Sequence, residues 1–288
     1  MMTVKIIFVG DVMQDILISH KDEIAFGSDT QANIKIQGGG SATNAAVWAS
    51  TQNLEVGLVA RIGDDQTGKI ILEELNRPNL NLNLVKTNGV SSGSCAILID
   101  ATGERSMFPD PGANIFLTSN DVPKEWFEQA EIIHISAYSL LRKNTKNAIG
   151  EIIKIAKENG LKTSVDVASS QPLIDNDGFN ALKDLAPWDY LFANKDEAQV
   201  LGDITKIKSL CKNLILKQGS KESLWIKENF EIKDVPEKVE VVDLIGAGDA
   251  FASGFLVSVI NKETPQNTLK NANQLGAKAV GISGARPL

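Results

Sequence analysis

The amino-acid sequence predicts an α/β protein of three layers, with helices on both faces of a mostly parallel sheet and a small β flap set into it. Two observations carry this expectation. Short apolar runs alternate with helical patterns along most of the chain, the rhythm of parallel strands joined by crossover helices. Separated regions break that rhythm with apolar–polar alternation, the pattern of strands with one wet face.

The elements follow in chain order. Within strand-like Val4–Val9, the apolar run Ile6–Val9 is closed by Gly10 and Asp11; so short a run, with no small-residue cleavage site, predicts a first buried strand and not a signal peptide. Asp15–Ser19 and Ala32–Ile36 alternate, as Ser94–Asp100 does in part, and place the flap at about 12–36 and 88–110. Further strand-like runs are Val56–Ala60, Ile132–Ser136, Thr163–Val167, Tyr190–Ala193, Leu214–Lys217 and Val239–Val242. In Asn147–Asn159, Ile149, Ile152, Ile153 and Ala156 fall on one helical face, and Gly160 stops the helix. No linker, low-complexity tract or internal repeat divides the chain, so one domain over 1–288 is expected.

Composition narrows the function classes. Hydrophobic residues at 43% allow a full core, yet no apolar run approaches the roughly eighteen residues of a membrane span. A net charge of −7 without a basic cluster argues against a nucleic-acid partner. Cys95 and Cys211 form neither a metal pattern nor a disulfide framework, which predicts a reducing cytoplasm. His20 and His134 have no motif around them and read as surface or packed residues, so a zinc site is not expected.

Several glycine-rich segments compete for a phosphate-binding role. Gly63-Asp64-Asp65-Gln66-Thr67-Gly68-Lys69 begins like a P-loop, but Ile70 stands where magnesium needs Ser or Thr. Asp64 and Asp65 would also repel phosphates, so the segment predicts a turn that caps a helix starting near Thr67. Gly38-Gly39-Gly40 lacks the spacing of a dinucleotide fingerprint. Asp243-Leu244-Ile245-Gly246-Ala247-Gly248-Asp249 is different. It precedes a helix with Phe251, Phe255 and Val259 on one face. Gly246 and Gly248 allow close backbone approach, and successive N–H groups at a helix start form an anion pocket. A carboxylate at its edge can take the proton of an attacking hydroxyl. The plain alternative is a tight turn with Asp249 as a helix cap.

Taken with the segment Gly39-Gly40-Ser41-Ala42-Thr43-Asn44-Ala45-Ala46, this chain resembles the ribokinase-like, or pfkB-type, carbohydrate kinases. Their C-terminal signature, Asp-Thr-x-Gly-Ala-Gly-Asp, is similar to Asp243–Asp249. Their N-terminal Gly-Gly, followed by an Asn that opens a helix, is similar to Gly39–Asn44. Gly10 with Asp15, Gly63-Asp64-Asp65 with Gly68, Gly103-Glu104-Arg105, Gly112-Ala113-Asn114, Asn194-Lys195-Asp196-Glu197, Lys217-Gln218-Gly219-Ser220 and Gly284-Ala285 extend the likeness over nearly the whole chain. Leu244 departs from it in place of the common threonine, and Glu222 stands where a glycine often follows.

The resemblance implies a ribokinase-like fold and transfer of the γ-phosphoryl group of ATP to a hydroxyl of a small sugar. Asp249 would be the base, and the amides of Gly246, Ala247 and Gly248 would stabilise the transferred group. Asp15, Gly39, Gly40 and Asn44 would position the acceptor, with Asp11 able to share that task or to cap its strand. Asn194, Lys217, Gly219, Ser220, Asp243, Gly246 and Gly248 would lie at ATP. Asn194 and Glu197 would order water on Mg2+, a role compatible with their reading as a capping box. Some relatives also hold K+ beside an aspartate like Asp243. Asp166, Ser136 and Tyr138 fall near the cleft without an assigned role. Relatives often pair their flaps, and Ile34, Ile36, Ile97 and Ile99 are too apolar for a wholly exposed sheet, which predicts a homodimer. Two rivals stand beside this reading. A nucleoside kinase would use Phe26 or Phe108 in a base pocket, and a non-catalytic sensor would keep the scaffold alone.

Overall fold

The computed structural model describes residues 3–228 and 230–287. Its strands are β1 (Ile6–Val9), β2 (Met13–His20), β3 (Ala32–Gly39), β4 (Val56–Gly63), β5 (Leu80–Thr87), β6 (Gly93–Ile99), β7 (Arg105–Asp110), β8 (Ile132–Ser136), β9 (Lys162–Asp166), β10 (Tyr190–Asn194), β11 (Asn213–Lys217), β12 (Ser223–Lys227) and β13 (Phe230–Asp234). Nine form one sheet in the order β13-β12-β11-β10-β9-β8-β1-β4-β5. From β11 to β5 every neighbouring pair is parallel; β12 and β13 run antiparallel at one edge. Its two faces are both covered. Ile7 and Val9 of β1 enter one core cluster, and Ile6 and Phe8 the other, as the period of two demands of a central strand.

The helix Lys146–Glu158 buries Ile149, Ile152, Ile153 and Ala156, the stripe read from the sequence. The acidic turn behaves as predicted: Asp65 caps the helix Gln66–Leu75 by accepting the Gly68 N–H at 2.8 Å. His134 is buried against Ser164, and its exclusion from water pushes the imidazole down to about 3. The run Val239–Val242 is not a strand. It is irregular backbone outside either sheet, tied to the last helix by Val242 and Asp243 N–H bonds to the Val280 carbonyl. Its side chains Val239, Val241 and Val242 are exposed, so β-propensity alone misplaced it.

The second sheet has the order β3-β2-β6-β7. Met13, Leu17, Cys95 and Ile97 pack together on its inner face with Ile99 and Ile245. This differs from the sequence expectation, which left Ile97 and Ile99 outside. The opposite face carries two cross-strand rows. One is Ile36, Ile16, Ala96 and Phe108; the next is Ile34, Ile18, Leu98 and Ser106. Ile34, Ile36 and Phe108 are exposed.

Candidate active site

Parallel strands bring their C-terminal ends to one edge, where ligands bind in open α/β sheets. Here that edge gathers Asp166, Asn194 and Lys217: Asn194 pairs with Lys217 and Phe192 with Asp166 across β9, β10 and β11. A cavity of about 770 Å³ opens above them. Its floor includes Asp166, Asn194, Glu197 and Lys217, and Gly219 and Ser220 stand on its wall. Val239, Val241 and Val280 give it an apolar flank. The loop that sequence reading took for a strand is therefore cavity wall.

The helix Ala247–Ile260 starts at this cavity. Gly246 caps it at φ 77, and a Cβ there would lie 2.1 Å from the Ala285 carbonyl oxygen. Only glycine fits both demands. The first intrahelical bond is Ala250 N–H to the Gly246 carbonyl. The N–H groups before it are the unpaired donors of any helix start and give this end its affinity for anions. Lys217 Nζ would sit 3.2 Å from a Cβ on Gly248, so the ammonium lies beside the first turn of this helix.

Asp249 stands in the first turn. Its Oδ1 accepts from Ser41 Oγ at 2.8 Å and its Oδ2 from Asn44 Nδ2 at 2.9 Å. Both donors come from the helix Ser41–Ser50, which begins at Gly40 with φ 93. A Cβ on Gly40 would lie 2.3 Å from the Asp11 carbonyl oxygen, which explains the glycine. Burial raises the Asp249 carboxyl to about 6, Asp166 adds to the rise, and Asn44, Ser41 and Lys217 oppose it.

Lys217 donates to Asp166 Oδ2 at 2.5 Å. Burial works against the ammonium, but Asp166 and Glu197 outweigh it and hold it charged. Glu197 and Asn194 form a reciprocal capping box, with Glu197 Oε2 accepting the Asn194 N–H at 2.7 Å and Asn194 Oδ1 accepting the Glu197 N–H at 2.9 Å. Burial raises the Glu197 carboxyl well above the usual range, against the pull of Lys217.

Asp15 is the third residue of β2 and lies over Gly39, whose Cβ would meet Asp15 Oδ1 at 2.2 Å. Its carboxylate hydrogen bonds to no side chain among the described residues. Burial pushes it up to about 6, with Arg286 opposing and Asp249 and Glu74 adding. Asp11, read from the sequence as able to share the acceptor site or to cap its strand, is engaged by other side chains. Both its oxygens are taken by Arg142, and Ser139 Oγ donates to it at 3.2 Å. It is a satisfied buried ion pair and leaves Asp15 as the open carboxylate. Asp243 accepts from Arg105 Nη2 at 2.8 Å, from Ile245 N–H at 3.0 Å and from Gly284 N–H at 3.2 Å.

Sequence reasoning missed Ser41, Arg105 and Arg286, and it left Asp166 without a role. A signal existed for Ser41, inside the Gly-Gly segment. For Asp166 and the arginines only the fold supplies the neighbours.

Phosphoryl transfer to an alcohol asks a protein for positioning and charge stabilisation above all, and the fold and site together are those of a carbohydrate kinase. Residues 4–288 match the model of the pfkB family carbohydrate kinases, and the chain belongs to that family. A ribokinase of Dictyostelium discoideum is 28% identical over 88% of this chain and 86% of its own length. The adenosine kinase structure from Sinorhizobium meliloti superposes with a TM-score of 0.89 at 22% identity, covering 99% of this chain and 96% of that one. A candidate ribokinase II of E. coli in complex with ATP and Mg2+ superposes with a TM-score of 0.85 at 20% identity, covering 98% and 94%.

Proposed function

We propose that this chain transfers the γ-phosphoryl group of ATP to a hydroxyl of a small sugar, with Asp249 accepting the hydroxyl proton. The observation that carries this reading is the place of Asp249: at a helix start with open amides, beside Lys217, in a cavity of nucleotide size. ATP would lie along the valine-lined flank, with Gly219 and Ser220 beside it and its phosphates toward Lys217 and the amides of Gly246, Ala247 and Gly248. Those amides would stabilise charge on the transferred group. Asp15, Gly39 and Gly40 would receive the acceptor, and Asn44 would hold Asp249 toward it.

Mg2+ belongs to this reading as the counter-ion of the phosphates. Asp166, Asn194 and Glu197 form an oxygen-rich wall that suits a metal bound chiefly by phosphate and water. When bound, the ion neutralises charge on the phosphates. The residues at Asp243 do not fit K+: the Arg105 guanidinium and two backbone N–H groups already occupy its carboxylate. A cytoplasmic setting, with ATP at hand and the thiols of Cys95 and Cys211 free, completes the reading. No described helix is long and apolar enough to cross a membrane.

A sugar acceptor is favoured over a nucleoside by the aromatic residues. Phe108 lies on the outer face of the small sheet, opposite Met107, which lines the cavity. Phe26 is 96% exposed. Neither stacks a base at the acceptor side. The outer rows with Ile16, Ile18, Ile34 and Ile36 would be covered by a second copy, so a dimer through the small sheet is part of the proposal.

The test is ATP consumption, with phosphorylated product identified by mass, across a panel of pentoses, hexoses and nucleosides. A sugar product supports the proposal. A nucleoside product shifts the acceptor class, and ATP binding without any product supports the sensor.

A further inference from the structure

Arg286 belongs to none of the motifs that led to the site, yet it is 3% exposed and hydrogen bonds to three residues around it. Its Nε donates to Glu74 Oε1 at 2.9 Å. Its Nη1 donates to the Gly39 carbonyl at 3.1 Å and to Asn44 Oδ1 at 3.3 Å. Its Nη2 is buried without a hydrogen-bond partner among the described residues. The end of β3 is shaped around this group: a Cβ on Gly38 would lie 1.8 Å from Nη2 and 2.5 Å from Glu74 Oε1.

We propose that Arg286 is a positioning residue for phosphoryl transfer: it holds the Asn44 amide oxygen, so the amide nitrogen faces Asp249, and it fixes the Gly39 carbonyl beside Asp15. The inference rests on the kinase reading of the site. An amide side chain has a donor end and an acceptor end of nearly equal shape. Turned about, Asn44 would present its oxygen to a carboxylate, and Asp249 would lose the donor that orients Oδ2. A guanidinium only donates, so Arg286 selects one orientation. Ser41 orients the other oxygen of Asp249 alone.

Charge supports the same role. Asp15 is faced by Asp249 from the helix Ala247–Ile260, by Glu74 from the helix Gln66–Leu75, by the Cys95 thiol of β6 and by Arg286. Arg286 is the cation of that set, and it favours the ionised form that can accept from a sugar hydroxyl. Asp249 is faced by Asp166 and Lys217 from the strand ends. Among the described residues, Arg286 is the cation that reaches Asn44 Oδ1.

The test uses the full chain with Arg286→Met and Arg286→Lys, read by kinetics and by 13C titration of the Asp249 carboxyl. Arg286→Met is expected to lower kcat about 10- to 100-fold, the scale of a misplaced catalytic group. The acid limb of kcat/KM and the Asp249 titration should both move to higher pH, while the KM for ATP stays near wild type. Arg286→Lys keeps the charge with fewer bonds and should fall between the two. Because Arg286→Met strands Glu74, Glu74→Gln with Arg286→Met provides a folded background should the single variant fail to fold. A folded variant with wild-type kcat overturns the proposal. So does lost activity with an unmoved Asp249 titration, since that is the mark of a merely structural residue. If the wild type phosphorylates nothing in the panel, the kinase reading fails while the titration still judges Arg286.

Discussion

Asp249→Asn separates catalysis from stability, because the same burial that tunes the base also strains the fold. Asparagine keeps the shape and can still accept one bond from Ser41 or Asn44, but it cannot take a proton. Loss of a general base lowers kcat by about two to four orders of magnitude, with ATP binding retained. The stability effect has the opposite sign. Burial raises the Asp249 carboxyl from 3.8 to about 6, so the folded state holds a proton that the unfolded chain releases between those values. At pH 7 the ionised form therefore destabilises the fold. At 1.36 kcal/mol per pH unit the ceiling is about 3 kcal/mol, and contact with the cavity solvent lowers it to on the order of 1–3 kcal/mol. Asp249→Asn removes that charge and should raise Tm at pH 7.5 by about 2–10 °C for a chain of this size. The gain should shrink as pH falls through 6 and vanish below about 4, where both proteins are neutral at this position. Differential scanning calorimetry of the two proteins from pH 4 to 8 reads the effect directly. A lower Tm for the variant at pH 7.5, or near-normal turnover, would refute the assignment of Asp249 as a buried base.

Further outcomes follow from the same geometry. In the wild type, kcat/KM should fall on the acid side with an apparent pKa near 6, set by Asp249 and Asp15, and a flat profile down to pH 5 would remove both from the mechanism. Asp15→Ala should raise KM for the sugar and lower kcat while leaving ATP affinity unchanged by calorimetry; lost ATP binding with intact sugar binding would reverse the two subsites. Lys217→Met leaves Asp166 and Glu197 buried without their cation, so it should destabilise by about 3–5 kcal/mol in urea unfolding and weaken ATP binding. Ile34→Lys with Ile36→Lys should convert a dimer to monomer by light scattering with Tm little changed, and a monomeric wild type at micromolar concentration would end the dimer reading.

The fold was legible because its signals are local. The first strand, the crossover helix Lys146–Glu158 and the alternation of β2 and β3 each follow from a period that a short window reveals. The glycine-capped helix start was legible for the same reason, since Gly246, Gly248 and Asp249 are adjacent in sequence. What failed was long-range. Val239–Val242 has a strand's composition but joins neither sheet, and Val239 and Val241 instead flank the cavity. Ile97 and Ile99 alternate as an exposed flap strand would, yet which face turns inward depends on Met13, Leu17 and Ile245 beneath them. Asp11 and Asp15 look equivalent in sequence, and only Arg142, far along the chain, distinguishes them.

On the proposed reading, the balance of charge ties nucleotide binding at this site to a divalent cation. Asp166, Glu197 and Asp249 crowd one cavity with Lys217 as their shared cation. Asp15 and Glu74 stand behind them with Arg286, and Asp243 with Arg105. Carboxylates exceed cations on this face; burial raises the Asp249, Asp15 and Glu197 carboxyls, and neighbouring carboxylates add to the rise. Phosphates brought alone would add to the repulsion. Phosphates carrying a divalent cation relieve it, and the helix amides then meet charge that the carboxylates no longer oppose. On the proposed reading, metal dependence would arise in the floor of the cavity as well as in the chemistry of ATP. Asp166→Asn tests the difference. It removes one carboxylate without touching Asp249 or the amides, so binding of metal-free ATP should strengthen while binding of ATP with Mg2+ weakens or holds. Calorimetry with and without EDTA distinguishes the two, and a variant that weakens both equally would show that Asp166 serves only to hold Lys217 in place.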